Sequence, residues 1–241
     1  MDINRDAKAS RRYVIILVDY NQVVLANFFV SIGNHHNIDV DEGLIRGMIL
    51  NSIRALLRKY KKEYGELIIC ADGRRPWRKD FFPYYKASRK KNREESEIDW
   101  ESVFKVMDKV REELRDEFDY KVFHYGDLEA DDCIGILSHH FGSYLKLEDS
   151  KPILIVSSDK DYIQLHQYAN VDQYDNIRSR WIQHSDPTGY LVEHILKGDA
   201  GDGVPNILSP DNIFMIEGQR QKSMTKKRLE HYSGEDPEME P

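Results

Sequence analysis

Residues 129–132 read Glu-Ala-Asp-Asp, and the apolar residues that follow (Ile134, Ile136, Leu137) mark them as the start of a helix. One acid in a first turn meets the positive end of the helix dipole and offsets unpaired N–H groups. Three acids repel one another, since two carboxylates ~5 Å apart cost roughly 3 kcal/mol at an effective dielectric of 20. More acids close other apolar runs: Asp19 ends YVIILVD (13–19), Asp72 ends ELIICAD (66–72) and Asp159 ends PILIVSSD (152–159), with Asp161 two residues on. Asp199 and Asp202 sit in the glycine-rich GDAGDGVPN. Any one of these alone is more often a turn or N-cap residue. Their recurrence at the ends of separate segments points to one shared site. Such a crowd must protonate or hold cations. Oxygen donors with no nearby His or Cys suit the hard ions Mg²⁺ or Mn²⁺ rather than zinc.

A scaffold that brings strand ends to one edge would gather these acids. Between the runs lie amphipathic stretches: a helix over about 41–64, where Ile45, Met48, Ile49, Ser52, Ile53, Leu56 and Tyr60 recur at helical spacing, and another over about 97–118. YKVFHY (120–125) reads as a third strand, 152–159 as the fourth and VDQY (171–174) as a fifth, with a short helix through Tyr162, Leu165 and His166. Alternation of this kind predicts an α/β fold, a mostly parallel central sheet with helices on both faces. Ligands of such sheets bind at the carboxyl ends of the strands. The expected organisation is a core over 1–187 and a second region over 188–232, which opens with a helix to Lys197. An acidic tail follows over 233–241, whose composition predicts disorder.

The formal net charge of −7 would argue against a polyanionic partner, yet neutralising the nine acids named above would leave +2. The segment at about 74–96 is strongly basic: Arg74, Arg75, Arg78, Lys79, Lys86, Arg89, Lys90, Lys91 and Arg93 face the single acid Asp80 between residues 74 and 93. Lys86, Arg89, Lys90 and Arg93 have the spacing of one cationic stripe if helical. Tyr85, with Tyr84 and Phe82, could stack on unpaired bases. In isolation such a run is more simply a solvated helix face, but its position directly after Asp72 hangs it over the acid cluster. Hydrophobic residues make up 40% of the chain, enough for a real core. No apolar run approaches the ~20 residues of a membrane span. The N-terminal MDINRDAKASRR lacks the apolar centre of a signal peptide. Cys70 and Cys133 suggest neither a zinc site nor a disulfide framework. A cytoplasmic protein is expected.

The motifs VDY with Asp19, ADG with Asp72, EADD, SSDKDYIQL (157–165) and KGDAGDGVPNI (197–207), in this order, resemble those of the 5′-nuclease family of flap endonucleases and 5′→3′ exonucleases. The resemblance spans about residues 13–207. It implies a two-metal phosphodiesterase, with Mg²⁺ as cofactor and Mn²⁺ able to substitute. It acts on DNA and RNA·DNA hybrid with a 5′ flap or nick, and its expected role is RNA-primer removal during phage DNA replication in the host cytoplasm, beside a single-strand-binding protein or sliding clamp. By motif position Asp19, Asp72, Glu129, Asp131, Asp159 and Asp161 match metal ligands or their water-mediated supports; Asp132, Asp199 and Asp202 match more loosely. Lys86 and Arg93 match a basic pair on a helical arch that steers the scissile phosphate, and Arg78, Lys79, Tyr85, Arg89 and Lys90 fall in the same nucleic-acid-facing segment. The loop of Gly201 and Gly203 resembles the start of a helix–three-turn–helix element that grips duplex backbone. The family continues well past this loop, so the resemblance implies only part of that grip before Pro241. A PIN-type RNase, or a truncated structure-specific DNA-binding protein without catalysis, are the alternatives.

Overall fold

The computed structural model describes residues 14–32, 41–143 and 152–234. Strand β1 (Ile15–Asp19) is buried at every position, which marks a central strand of a sheet covered on both faces. Helices α1 (Tyr20–Ile32) and α2 (Glu42–Tyr64) lead to β2 (Glu66–Ala71); the short α3 (Arg78–Phe81) and α4 (Ala87–Glu94) carry the basic segment, and α5 (Trp100–Asp116) precedes β3 (Lys121–His124). Then come α6 (Ala130–Ser143), β4 (Ile153–Val156), a 3₁₀ helix over Asp161–Gln167, β5 (Val171–Asp175), β6 (Arg180–Ile182), α7 (Pro187–Lys197) and α8 (Lys226–Ser233).

The sheet order is β3-β2-β1-β4-β5-β6, with every neighbouring pair parallel except β5 and β6. Because strand side chains alternate between faces, β1 feeds two cores. Ile16 and Val18 join residues of α1, α2 and α5 on one side, while Ile15 and Leu17 join α6 and Tyr162 and Leu165 of the 3₁₀ helix on the other. Chain order reverses between β1 and β4, which opens a crevice at their carboxyl ends. Asp19 and Asp159 are delivered there.

Helix starts are set by acids outside this crevice as well. Asp41, Asp99 and Asp186 each accept a hydrogen bond from a first-turn N–H of α2, α5 and α7, an arrangement worth about 1 kcal/mol apiece. The mostly parallel sheet with helices on both faces is as expected, with two additions. Helix α1 was not anticipated, because YNQVVLANFFVSI is apolar all round and has no helical period to detect. The edge strand β6 is three residues long, too short to signal itself. Residues 1–13 and the end of the acidic tail, 235–241, lie outside the described residues. No helix among the described residues is long and apolar enough to cross a membrane.

Candidate functional site

A cleft of about 750 Å³ lies at the carboxyl ends of β1, β2 and β4. Seven of the nine predicted acids line it: Asp19, Asp72, Asp131, Asp159, Asp161, Asp199 and Asp202, together with Lys86, Arg89, Arg93 and Gly201. Asp19 has two tasks. Its Oδ1 caps α1 by accepting from Gln22 N–H at 3.1 Å, and its Oδ2 accepts from the hydroxyls of Ser157 and Tyr162, each at 3.2 Å. The same Tyr162 hydroxyl lies 2.5 Å from Asp131 Oδ1, so its single O–H is shared between two carboxylates, with the shorter contact to Asp131. Asp72 Oδ1 accepts from the first N–H of α6, that of Ala130, at 2.9 Å.

The remaining two acids are placed differently, and they show where part of the compensating charge in EADD comes from. Glu129 is buried and accepts from Lys86 Nζ and the Tyr85 hydroxyl, both at 2.7 Å, with Arg78 at 3.3 Å. Asp132 accepts two hydrogen bonds from the Arg78 guanidinium at 2.9 Å and reaches back to the Glu129 backbone N–H at 2.9 Å, the return bond of a capping box. Neither carboxylate lines the cleft. The positive charge for these two is supplied by the protein's own Arg78 and Lys86.

The basic segment also departs from its expected form. Lys86 is not on a helix but just before α4, with φ of 55°, so the stripe read from Lys86 to Arg93 is broken at its first member. Lys86 still lines the cleft beside Arg89 and Arg93, and Arg89 pairs with Asp202. Tyr85 cannot be a stacking platform: it is 5% exposed and bonded to Glu129. Arg78, expected to face nucleic acid, is committed to Glu129 and Asp132. Lys79 is exposed on α3, and Lys90 falls within α4. The exposed rings are instead Trp77 and Phe81, packed edge to face.

The glycine loop is braced against this segment. Asp202 O accepts from Lys86 N–H at 2.7 Å, and a Cβ on Gly203 would meet the Tyr84 carbonyl oxygen at 2.8 Å from a backbone of φ +75°. Gly203→Ala should therefore destabilise the protein by about 1–3 kcal/mol and loosen Lys86, which denaturant melts of the two proteins would show as a lower midpoint at unchanged slope.

His194 is the site residue missed from sequence. Its Nε2, on α7, lies 3.2 Å from Asp161 Oδ1, so the donor set near the acids is not oxygen alone. The only available signal was its position four residues before the GDAGD loop.

Charge repulsion remains at the cleft itself. Burial pushes Asp19 well above the usual carboxylate range, and Asp131, Asp72 and Asp159 add to it. Burial likewise raises Asp72, and raises Asp131 and Asp161 to about 6. Asp132 behaves oppositely: burial alone would raise it, but Arg78 and the Glu129 N–H hold it below the usual range. Crowded, buried oxygens with raised pKa values are the donor set that hard divalent ions neutralise. The sign of the pH dependence follows. A carboxyl whose folded pKa is about 6 against 3.8 favours folding below pH ~4 and loses that contribution as pH rises through 6. Divalent metal should thus raise the melting temperature strongly at pH 7.5 and little at pH 5; an equal rise at both would contradict the assignment.

An acid-lined crevice at the switch point of a mostly parallel sheet, overhung by Lys and Arg, is an arrangement suited to metal-dependent cleavage of phosphodiesters. Comparison with known proteins agrees. The family profile described as "5'-3' exonuclease, N-terminal resolvase-like domain" matches residues 14–191. Ribonuclease H of Enterobacteria phage T4 is 34% identical over 237 residues, covering 95% of this chain and 75% of that protein. The 5'-3' exonuclease of Buchnera aphidicola subsp. Schizaphis graminum is 26% identical over 206 residues, 82% of this chain and 67% of that protein. Among solved structures, a T5 protein co-crystallized with metal ions superposes with a TM-score of 0.64 at 16% identity, over 92% of this chain and 74% of that one. A bacteriophage T5 flap endonuclease in a pseudo-enzyme–product complex with DNA and metal ions also gives 0.64 at 16% identity, over 91% and 84%. This chain belongs to the 5'-3' exonuclease family.

Proposed function

We propose that the chain hydrolyses phosphodiesters near the 5′ ends of DNA or RNA·DNA hybrids at a flap or nick, using two Mg²⁺ ions, with Mn²⁺ able to replace them. The observation that carries this reading is the convergence of seven carboxylates on one cleft beneath Lys86, Arg89 and Arg93. Asp19, Asp72, Asp131 and Asp159 would hold one ion, and Asp161, Asp199 and Asp202 the other. Bound there, the ions would lower the pKa of an attacking water and stabilise the leaving 3′ oxygen.

The chain's own residues supply position and field. Tyr162 and Ser157 fix the carboxylates before substrate arrives. Glu129 and Asp202 hold the Lys86 ammonium at the edge of the cleft, where it can offset charge on a phosphate in the transition state, the contribution that is usually largest. Arg93, exposed on α4, also lines the cleft and would receive an adjacent phosphate. Contacts of this kind position a backbone without reading sequence.

We further infer a role in RNA-primer removal during phage DNA replication in the host cytoplasm, with a single-strand-binding protein or sliding clamp as the recruiting partner; the likeness to a phage protein named ribonuclease H supports the RNA·DNA hybrid as substrate. The test is a panel of 5′-labelled substrates: a DNA flap, a nicked RNA·DNA hybrid and unpaired RNA, each with Mg²⁺. Short 5′ products from the first two support the reading. Cleavage confined to unpaired RNA would replace it with a PIN-type RNase.

A further inference from the structure

The oxygen-only donor set read from sequence omits one group that the structure delivers to the same edge. His194 Nε2, Asp161 and Asp199 each offer a donor atom within 4.8 Å of the other two. They come from three separate elements: the start of the 3₁₀ helix, α7, and the loop after it. Asp161 and Asp199 face the cleft, and the His194 and Asp161 side chains are about one-third exposed, open enough for an ion to enter.

The three groups are also held in orientation. The Tyr190 ring lies parallel to the His194 ring, with 10° between planes and centroids 5.9 Å apart. Asp199 Oδ1 is fixed by the N–H groups of Gly201 at 2.7 Å and Asp202 at 3.3 Å. The Asp161 backbone is pinned by its N–H to Asp159 Oδ1 at 3.0 Å and by Gln164 to its carbonyl at 2.8 Å. A ligating imidazole needs a fixed ring plane, and ligating carboxylates need such supports.

We propose that Asp161, His194 and Asp199 form a mixed nitrogen–oxygen metal position, so that one of the two ions of this nuclease is held partly by imidazole and favours a borderline transition ion such as Co²⁺ over Mg²⁺. This rests on the reading of the cleft as a metal site. Imidazole suits the later first-row ions, whereas carboxylates alone suit Mg²⁺ and Mn²⁺. The competing role for His194 is that of a protonated counter-ion to Asp161. The two roles differ in sign. A ligand strengthens metal binding, and a fixed cation at the same place weakens it.

The experiment is calorimetric titration of the wild type, His194→Gln and His194→Asp with Co²⁺ and with Mg²⁺, circular dichroism establishing that each variant is folded. Pulsed electron paramagnetic resonance with Mn²⁺ as probe reports a directly bound nitrogen. The wild type should show the nitrogen coupling and both variants should lack it. His194→Gln should bind Co²⁺ at one site on the order of tenfold more weakly or worse, with Mg²⁺ affected by less than about twofold. His194→Asp should keep Mg²⁺ but not regain Co²⁺. No nitrogen coupling in the wild type, or unchanged or tighter binding by His194→Gln, would overturn the proposal while leaving the nuclease reading intact. A wild type that binds neither ion would remove both.

Discussion

Asp131→Asn should abolish cleavage and at the same time make the metal-free protein more stable. Asp131 lines the cleft and is raised to about 6, chiefly by burial and further by Asp159 and Asp72. Removing its charge relieves up to about 3 kcal/mol at pH 7.5, the worth of roughly two pKa units. The amide keeps the shape and can still accept from the Tyr162 hydroxyl, so the fold has no reason to change. For a chain of this size that corresponds to a melting temperature several degrees higher, at about 2–4 °C per kcal/mol. Divalent metal should stabilise the variant less than the wild type, because the ion position at Asp161 and Asp199 remains, and kcat should fall by at least about 10³-fold, beyond the loss expected for one electrostatic contact. Thermal melts with and without Mg²⁺, beside single-turnover cleavage, measure both. A variant that loses activity and stability together would show that Asp131 is structural.

Lys86→Met should instead lose both cleavage and stability. Its ammonium is the partner of Glu129, which is 3% exposed. Deleting one member of a buried pair costs about 3–5 kcal/mol. Arg78 and Tyr85 still reach Glu129, which places the expected loss at the lower end. Cleavage should fall about 10²–10³-fold if Lys86 also meets the reacting phosphate. A double-mutant cycle separates the two effects. Adding Glu129→Gln removes the stranded charge and should recover most of the stability, but none of the rate. Recovery of both would reduce Lys86 to a structural counter-ion.

Strands β1, β2 and β4 were legible in the sequence because each is a buried apolar run that ends beside an acid, and that pattern also located the cleft. Helix α1 was not, since its apolar residues lie all around the helix and erase amphipathic contrast: Tyr20, Val23, Val24 and Phe28 are buried while Phe29 and Val30 are apolar and exposed. The acids of EADD were visible as a group, but only the fold sorts them. Asp131 points into the cleft, Asp132 returns to its own helix start, and Glu129 faces Lys86. The basic run announced its location but not its orientations. Spacing alone treats Lys86 to Arg93 as one helix, whereas the positive φ at Lys86 ends that regularity. Nor can an aromatic between charges declare which way it faces; Tyr85 turned inward to Glu129. His194 was invisible for a topological reason. It lies 33 residues from Asp161 in sequence, and only the packing of α7 on the 3₁₀ helix joins them.

If the acids of this cleft hold metal for cleavage near a 5′ end, Asp159→Asn should separate cleavage from binding. Wild type and variant are compared on a 5′-labelled flap, measuring cleavage with Mg²⁺ and with EDTA, and binding in EDTA. Asp159 is exposed in the cleft, so the substitution should spare the fold. Wild type should give short 5′ products that require Mg²⁺, and these should vanish in the variant, which still binds the flap. Cleavage that persists in EDTA, or a folded Asp159→Asn protein that cleaves at the wild-type rate, would contradict it.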